Sequence, residues 1–253
     1  MQHHVCGAVF VLKIAETNKA TTMKKSIIPA LLLILSVTAL QAQTTYTETR
    51  NVSGFSKVSF AVAGEVYIDL GQSYSVVLEG DRDYINDIET RVEGKDLVIK
   101  RDKWFDSGNR KVTVRITMPA LEGISVSGSG KVTVNDPVRG DDLDVAISGS
   151  GKALLGDVTV KNVECHISGS GSLNIAGTGT VDNLVISISG SGNYKGEAAK
   201  VGTLRASISG SGNCDCYVTD LLKAAISGSG SVYYSGNPKI DAAISGSGKV
   251  RTK

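Results

Sequence analysis

The chain has 253 residues, 41% of them hydrophobic and only 5% aromatic, with 29 glycines. Its formal charge of +2 falls to −1 when the first 42 residues are set aside, leaving 23 basic and 24 acidic side chains. A near-neutral chain without a basic block lacks the electrostatic footprint of a nucleic-acid or anionic-membrane binder.

The chain begins with two segments that do not belong to the fold. Residues 1–22, with His3, His4 and Cys6, precede a complete targeting pattern that has its own methionine, and they read as a mis-assigned extension. Residues 23–42 read as a signal peptide: Met23 is followed by Lys24 and Lys25, an apolar run from Ile27 to Leu40, and Gln41-Ala42. An apolar run of about 14 residues is shorter than the roughly 20 a membrane-spanning helix needs. Export to the periplasm, the outer surface or the medium is therefore expected, with no transmembrane segment in the mature chain.

Residues 43–119 carry alternating apolar stretches, such as Val66 to Leu70 and Val112 to Met118, separated by polar turns. They are expected to form irregular β-coils at the N-terminal end of a repeat that occupies residues 120–253. There Ser-Gly-Ser-Gly occurs seven times, beginning at Ser127, Ser148, Ser168, Ser189, Ser209, Ser227 and Ser245, at intervals of 18 to 21 residues. The first glycines are Gly128, Gly149, Gly169, Gly190, Gly210, Gly228 and Gly246. A fixed period of that length marks a stack of similar coils.

Apolar residues precede each first serine at alternate positions, as in Leu143, Val145 and Ile147 before Ser148. Others follow it, as in Leu173 and Ile175 after Ser168. Alternation places each set on one face of a strand. A single coil cannot cover its apolar face, whereas stacked coils can. The expected fold is all-β: a single-stranded parallel β-helix, or solenoid, with coils of about 18–21 residues. Cys165, Cys214 and Cys216 fall on core-facing positions and read as small buried hydrophobes. The repeated glycines read as a backbone requirement, either a thin place in a straight strand or a corner.

The recurrent Ile-Ser-Gly-Ser-Gly, the segment Ile116-Thr117-Met118-Pro119-Ala120-Leu121 and the stretch Tyr233-Tyr234-Ser235-Gly236-Asn237-Pro238-Lys239-Ile240 carry a resemblance. Over residues 50–250 the chain resembles the auto-transporter adhesin head GIN domain family of Bacteroidetes-type bacteria. The resemblance implies a right-handed helix behind a signal peptide and an adhesin function. It supplies no catalytic or ligand residues.

No nucleophile elbow, catalytic triad or zinc cluster is present, so no enzyme and no cofactor are expected. Binding of a surface glycan or protein is the expected role. A passive envelope solenoid and a carbohydrate-active enzyme are the alternatives. Trp104 and Phe105 in a polar turn, with Tyr217 and Tyr233 at outward positions, are the candidate ligand contacts, because aromatic rings bury much area at small entropic cost. Asp141, Asp142 and Asp144 are the candidate calcium ligands.

Overall fold

The computed structural model describes residues 45–101 and 110–253. Residues 1–44, the expected extension and signal segment among them, and residues 102–109 with Trp104 and Phe105 lie outside that description. The elements run β1 (Tyr46–Arg50), β2 (Lys57–Ala61), β3 (Gly64–Leu70), β4 (Ser75–Gly80), α1 (Arg82–Asn86), β5 (Ile88–Glu93), β6 (Asp96–Arg101) and β7 (Val112–Met118). The repeat follows as β8 (Gly123–Gly128), β9 (Lys131–Val134), β10 (Val138–Gly149), β11 (Lys152–Leu155), β12 (Val158–Gly169) and β13 (Ser172–Ile175). It ends with β14 (Thr180–Gly190), β15 (Asn193–Gly210), β16 (Asn213–Gly228), β17 (Ser231–Ser235), β18 (Lys239–Gly246) and β19 (Lys249–Thr252).

The strands stack as a parallel β-solenoid in the register that the repeat dictates. Val126, Ile147, Ile167, Ile188, Ile208, Ile226 and Ile244 pair in succession along a first wall. Val132, Ala153, Leu173, Tyr194, Cys214, Val232 and Val250 do so along a second. Of these fourteen residues only Ile244 and Val250, in the last coil, are not fully buried. Each buried Ile or Leu contributes roughly 1.5–3 kcal/mol.

A third apolar ladder, Val160, Val181, Val201 and Val218, closes the core on a short side formed by the leading residues of the long strands. Sequence reasoning missed it, although these valines stand eight or nine positions before the first serine in four of the seven repeats.

The glycine question resolves into two roles. The strands of the first wall end on the first glycine, which turns the corner with φ of 86° at Gly128 and 124° at Gly210. L-residues other than glycine are strained there. The second glycine is the thin place: a Cβ on Gly212 would fall 2.5 Å from Cγ2 of Ile188, and one on Gly230 would fall 2.6 Å from Cγ2 of Ile208. The corners are joined by backbone hydrogen bonds, Ser170 N donating to Gly149 O and Ser211 N to Gly190 O, both at 2.8 Å.

The N-terminal coils depart from sequence order. The β2–β3 coil lies between β6–β7 on one side and β8–β9 on the other, pairing in parallel with both. Outside β6 and β7 the direction reverses: β5 runs antiparallel to β6, β4 antiparallel to β7, and β1 antiparallel to β4. Helix α1 follows β4, N-capped by the Asp81 carboxylate, and buries Tyr84 and Ile85. At the opposite end the last coil, β18 and β19, keeps the parallel direction. Ile240 and Ile244 of β18 are 48% and 44% exposed.

The three cysteines are free and buried, as their parity requires. Burial pushes the thiols of Cys165 and Cys216 up to about 12, and that of Cys214 well above its usual value. Tyr194 shares their core, and its ring occupies the space that a side chain at Gly196 would fill. That contact explains a glycine seven positions after Ser189, where the neighbouring repeats carry Ile175 and Cys216.

Candidate binding groove

A concavity of about 890 Å³ lies on the outer face of the first wall, where the N-terminal coils meet the regular ones. The alternation that buries Leu143, Val163 and Leu184 turns Asp142, Asn162 and Asn183 outward in one column, and Asp144, Glu164 and Val185 in the next. Parallel pairing stacks like positions, so the first column becomes a ladder. The Asn183 amide donates to Asn162 Oδ1 at 3.1 Å, and the Asn162 amide donates to Asp142 Oδ1 at 2.8 Å.

Charges frame this ladder. Lys57 Nζ bonds Asp144 Oδ2 at 2.6 Å, and Lys161 Nζ bonds Asp141 Oδ1 at 2.7 Å. The bonded carboxylates raise both lysine pKa values. Glu122 accepts from Ser56 Oγ at 2.7 Å and from Lys95 Nζ at 3.1 Å, which together hold its carboxyl below the usual range. Arg139 and Arg205 line the same groove and make no ion pair among the described residues. The surface thus offers fixed amides and carboxylates with two uncommitted guanidinium groups, a donor set that suits hydroxyls, amides and carboxylates of a ligand.

The structure brings Asp141, Asp142 and Asp144 together in this groove, but each is engaged: two by lysines and one by an amide. A cation there would have to displace both ammonium groups. Among the described residues no group of three or more His, Cys, Asp or Glu side chains is arranged to hold a metal. His166 is exposed beside Glu164, with Nε2 2.9 Å from Oε1.

Of the four aromatic candidates, Tyr217 and Tyr233 are among the described residues and Trp104 and Phe105 are not. Tyr217 on β16 and Tyr233 on β17 are half-buried and diagonal, Tyr217 facing Ser235 and Tyr233 facing Asp215. Lys253 Nζ lies 5.9 Å from the centroid of the Tyr233 ring and bonds Asp215 at 2.9 Å. Arg101 and Arg110 belong to the far end of the stack. There Arg101 bonds Asp87 at 3.1 Å and Arg110 lies 3.5 Å from Asp81. The groove residues Asn162, Asn183, Arg139 and Arg205 were not singled out in the sequence. The available signal was the polar column six positions before the first serine.

Parallel coils stacked in register, with antiparallel strands at the N-terminal end, define the protein as a β-solenoid. The particular family is shown by the sequence: residues 54–238 match the model described as "Putative auto-transporter adhesin, head GIN domain", and the chain belongs to that family. A search of curated proteins finds no match.

Solved structures share the fold. One titled a putative adhesin, from Bacteroides fragilis, has a TM-score of 0.78 at 24% identity, covering 84% of this chain and 98% of its own. Another, also titled a putative adhesin, from Parabacteroides distasonis, gives 0.68 at 21%, covering 83% and 97%. A third from the same species, titled a putative lipid binding protein, gives 0.66 at 22%, covering 83% and 96%.

Proposed function

We propose that this protein is a non-catalytic, exported binding module that takes a surface glycan or protein segment in the groove of its first wall. The observation that carries the reading is the Asp142–Asn162–Asn183 ladder, flanked by Arg139 and Arg205. Side chains bonded to one another across coils are already ordered, so a ligand meets them at little further entropic cost. Family membership supports the adhesin character, and the pattern of residues 23–42 supports export. Among the described residues no helix is long and apolar enough to cross a membrane.

The test is a glycan and surface-protein array probed with the purified protein and with a variant carrying Asn162→Ala, Asn183→Ala and Arg205→Ala. Specific binding that the variant loses by tenfold or more is expected. Binding that the variant keeps, but that Tyr217→Ala and Tyr233→Ala abolish, would move the site to the second wall. Turnover of any bound glycan would overturn the non-catalytic reading.

A further inference from the structure

The two ends of the stack are built differently, and their edge strands match each other. At one end, among the described residues, β18 pairs only with β16 and has no partner on its outer backbone edge, and its inward residues Ile240, Ala242 and Ile244 are exposed. At the other end, among the described residues, β5 pairs only with β6. Its residues Ile88, Thr90 and Val92 follow the inward parity of Arg101, Ile99 and Leu97 on β6, while Glu89, Arg91 and Glu93 face out. Open strand edges are pairing templates unless a protein blocks them.

We propose that β18 of one copy pairs with β5 of a second copy, joining the chains end to end. Direction favours this. When two copies stack along a common axis, β5 of the second runs antiparallel to β18 of the first, because β5 opposes every other strand of its wall. The register that sets Ile240 against Val92, Ala242 against Thr90 and Ile244 against Ile88 preserves inward parity at all three positions. It also sets Lys239 against Glu93 and Asp241 against Arg91, two opposite-charge cross-strand pairs on the outer face. On the second wall β19 would meet β1, whose outward residues are Thr47 and Thr49, so Lys249 and Arg251 face no like charge. A symmetric pair of β18 strands centred on Ala242 would keep the apolar match, with Ile240 against Ile244 on both sides, but it sets Asp241 against Ala243 and Lys239 against Ser245 and so forms no opposite-charge pair. The β18–β5 contact joins different surfaces, so it does not close on itself and generates open chains.

The experiment is sedimentation velocity over a concentration series, with negative-stain imaging of the most concentrated sample. Expected are species longer than dimers whose proportion rises with concentration and falls with added salt. Asp241→Arg alone and Arg91→Asp alone should each return the protein to a single-chain mass, and the double exchange should restore the longer species. Circular dichroism checks that each variant keeps its strand signal: Asp241 is exposed, and Arg91 is half-buried on the outer face beside Glu89 and Glu93, which it bonds. A mixture of Ile244→Lys and Val92→Lys proteins should stop at dimers, since only one productive junction remains. A single-chain mass at every concentration would overturn the proposal. So would dimers of Val92→Lys that form without a partner variant, the signature of a symmetric β18 pair.

Discussion

Ile188 overhangs Gly212 one coil later, its Cγ2 occupying the place where a methyl group on that glycine would lie. The same relationship joins Ile208 to Gly230 and Ile226 to Gly248. The isoleucine column and the second-glycine column are therefore two halves of one interlock. Gly212→Ala must push either the Ile188 side chain or the backbone of Gly192, and should cost about 1–3 kcal/mol. Gly210→Ala adds an unfavourable φ and a clash with the carbonyl of Gly190, so it should cost more. Urea midpoints of the two variants test the order.

Shortening the apolar ladder should be felt along the stack. Leu184 is fully buried between Val163 and Leu204, and Leu184→Ala should lose about 2–5 kcal/mol. Leu184→Asp places an unpaired carboxylate in the same position and should prevent folding of the central coils. Protection from hydrogen exchange would then be lost on both sides of the substitution. Retained protection would mean that the coils fold independently.

Tyr194 carries a buried hydroxyl with no protein partner among the described residues. Tyr194→Phe keeps the ring that fills the space beside Gly196 and removes only the oxygen. Its stability should match the parent or exceed it by about 1 kcal/mol. A loss of that size in thermal melts would show that the hydroxyl is satisfied.

The core thiols should be inert. With pKa values raised by burial, to about 12 at Cys165 and Cys216, the thiolate fraction stays small until pH approaches the folded pKa. Mass spectrometry after a thiol reagent at about pH 8 should find Cys165, Cys214 and Cys216 unmodified in the native protein and fully modified in urea.

Acid should loosen the groove from its N-terminal rim. The folded pKa of Glu122 is depressed, first by the Ser56 hydroxyl and then by Lys95. Its stabilising contribution is therefore fully present above the ordinary carboxylate value and is lost as pH falls through the lower, folded value. The melting difference between the parent and Glu122→Gln should be present near neutral pH and vanish in acid.

The regular coils were legible because each residue faces its equivalent one repeat away, so sequence spacing and spatial register are the same quantity. Leu143, Val145 and Ile147 could be placed from alternation alone. The β2–β3 coil could not. Its neighbours are β6–β7 and β8–β9, contacts across some 40 to 65 residues that leave no periodic trace. The groove was legible only in part. The outward aspartates drew attention for their charge, whereas the asparagines beside them carry the ladder and look in sequence like ordinary surface polarity. Lys57, which completes the groove, comes from the displaced coil and has no signal at all.

Because every corner repeats the same backbone solution, height is a countable property of this protein. Adding or removing one whole coil would change its length by roughly one strand spacing, about 4.8 Å, and leave both end surfaces as they are. Lineages could therefore tune how far the groove stands from the last coil, in fixed steps, by duplicating a segment of 18 to 21 residues.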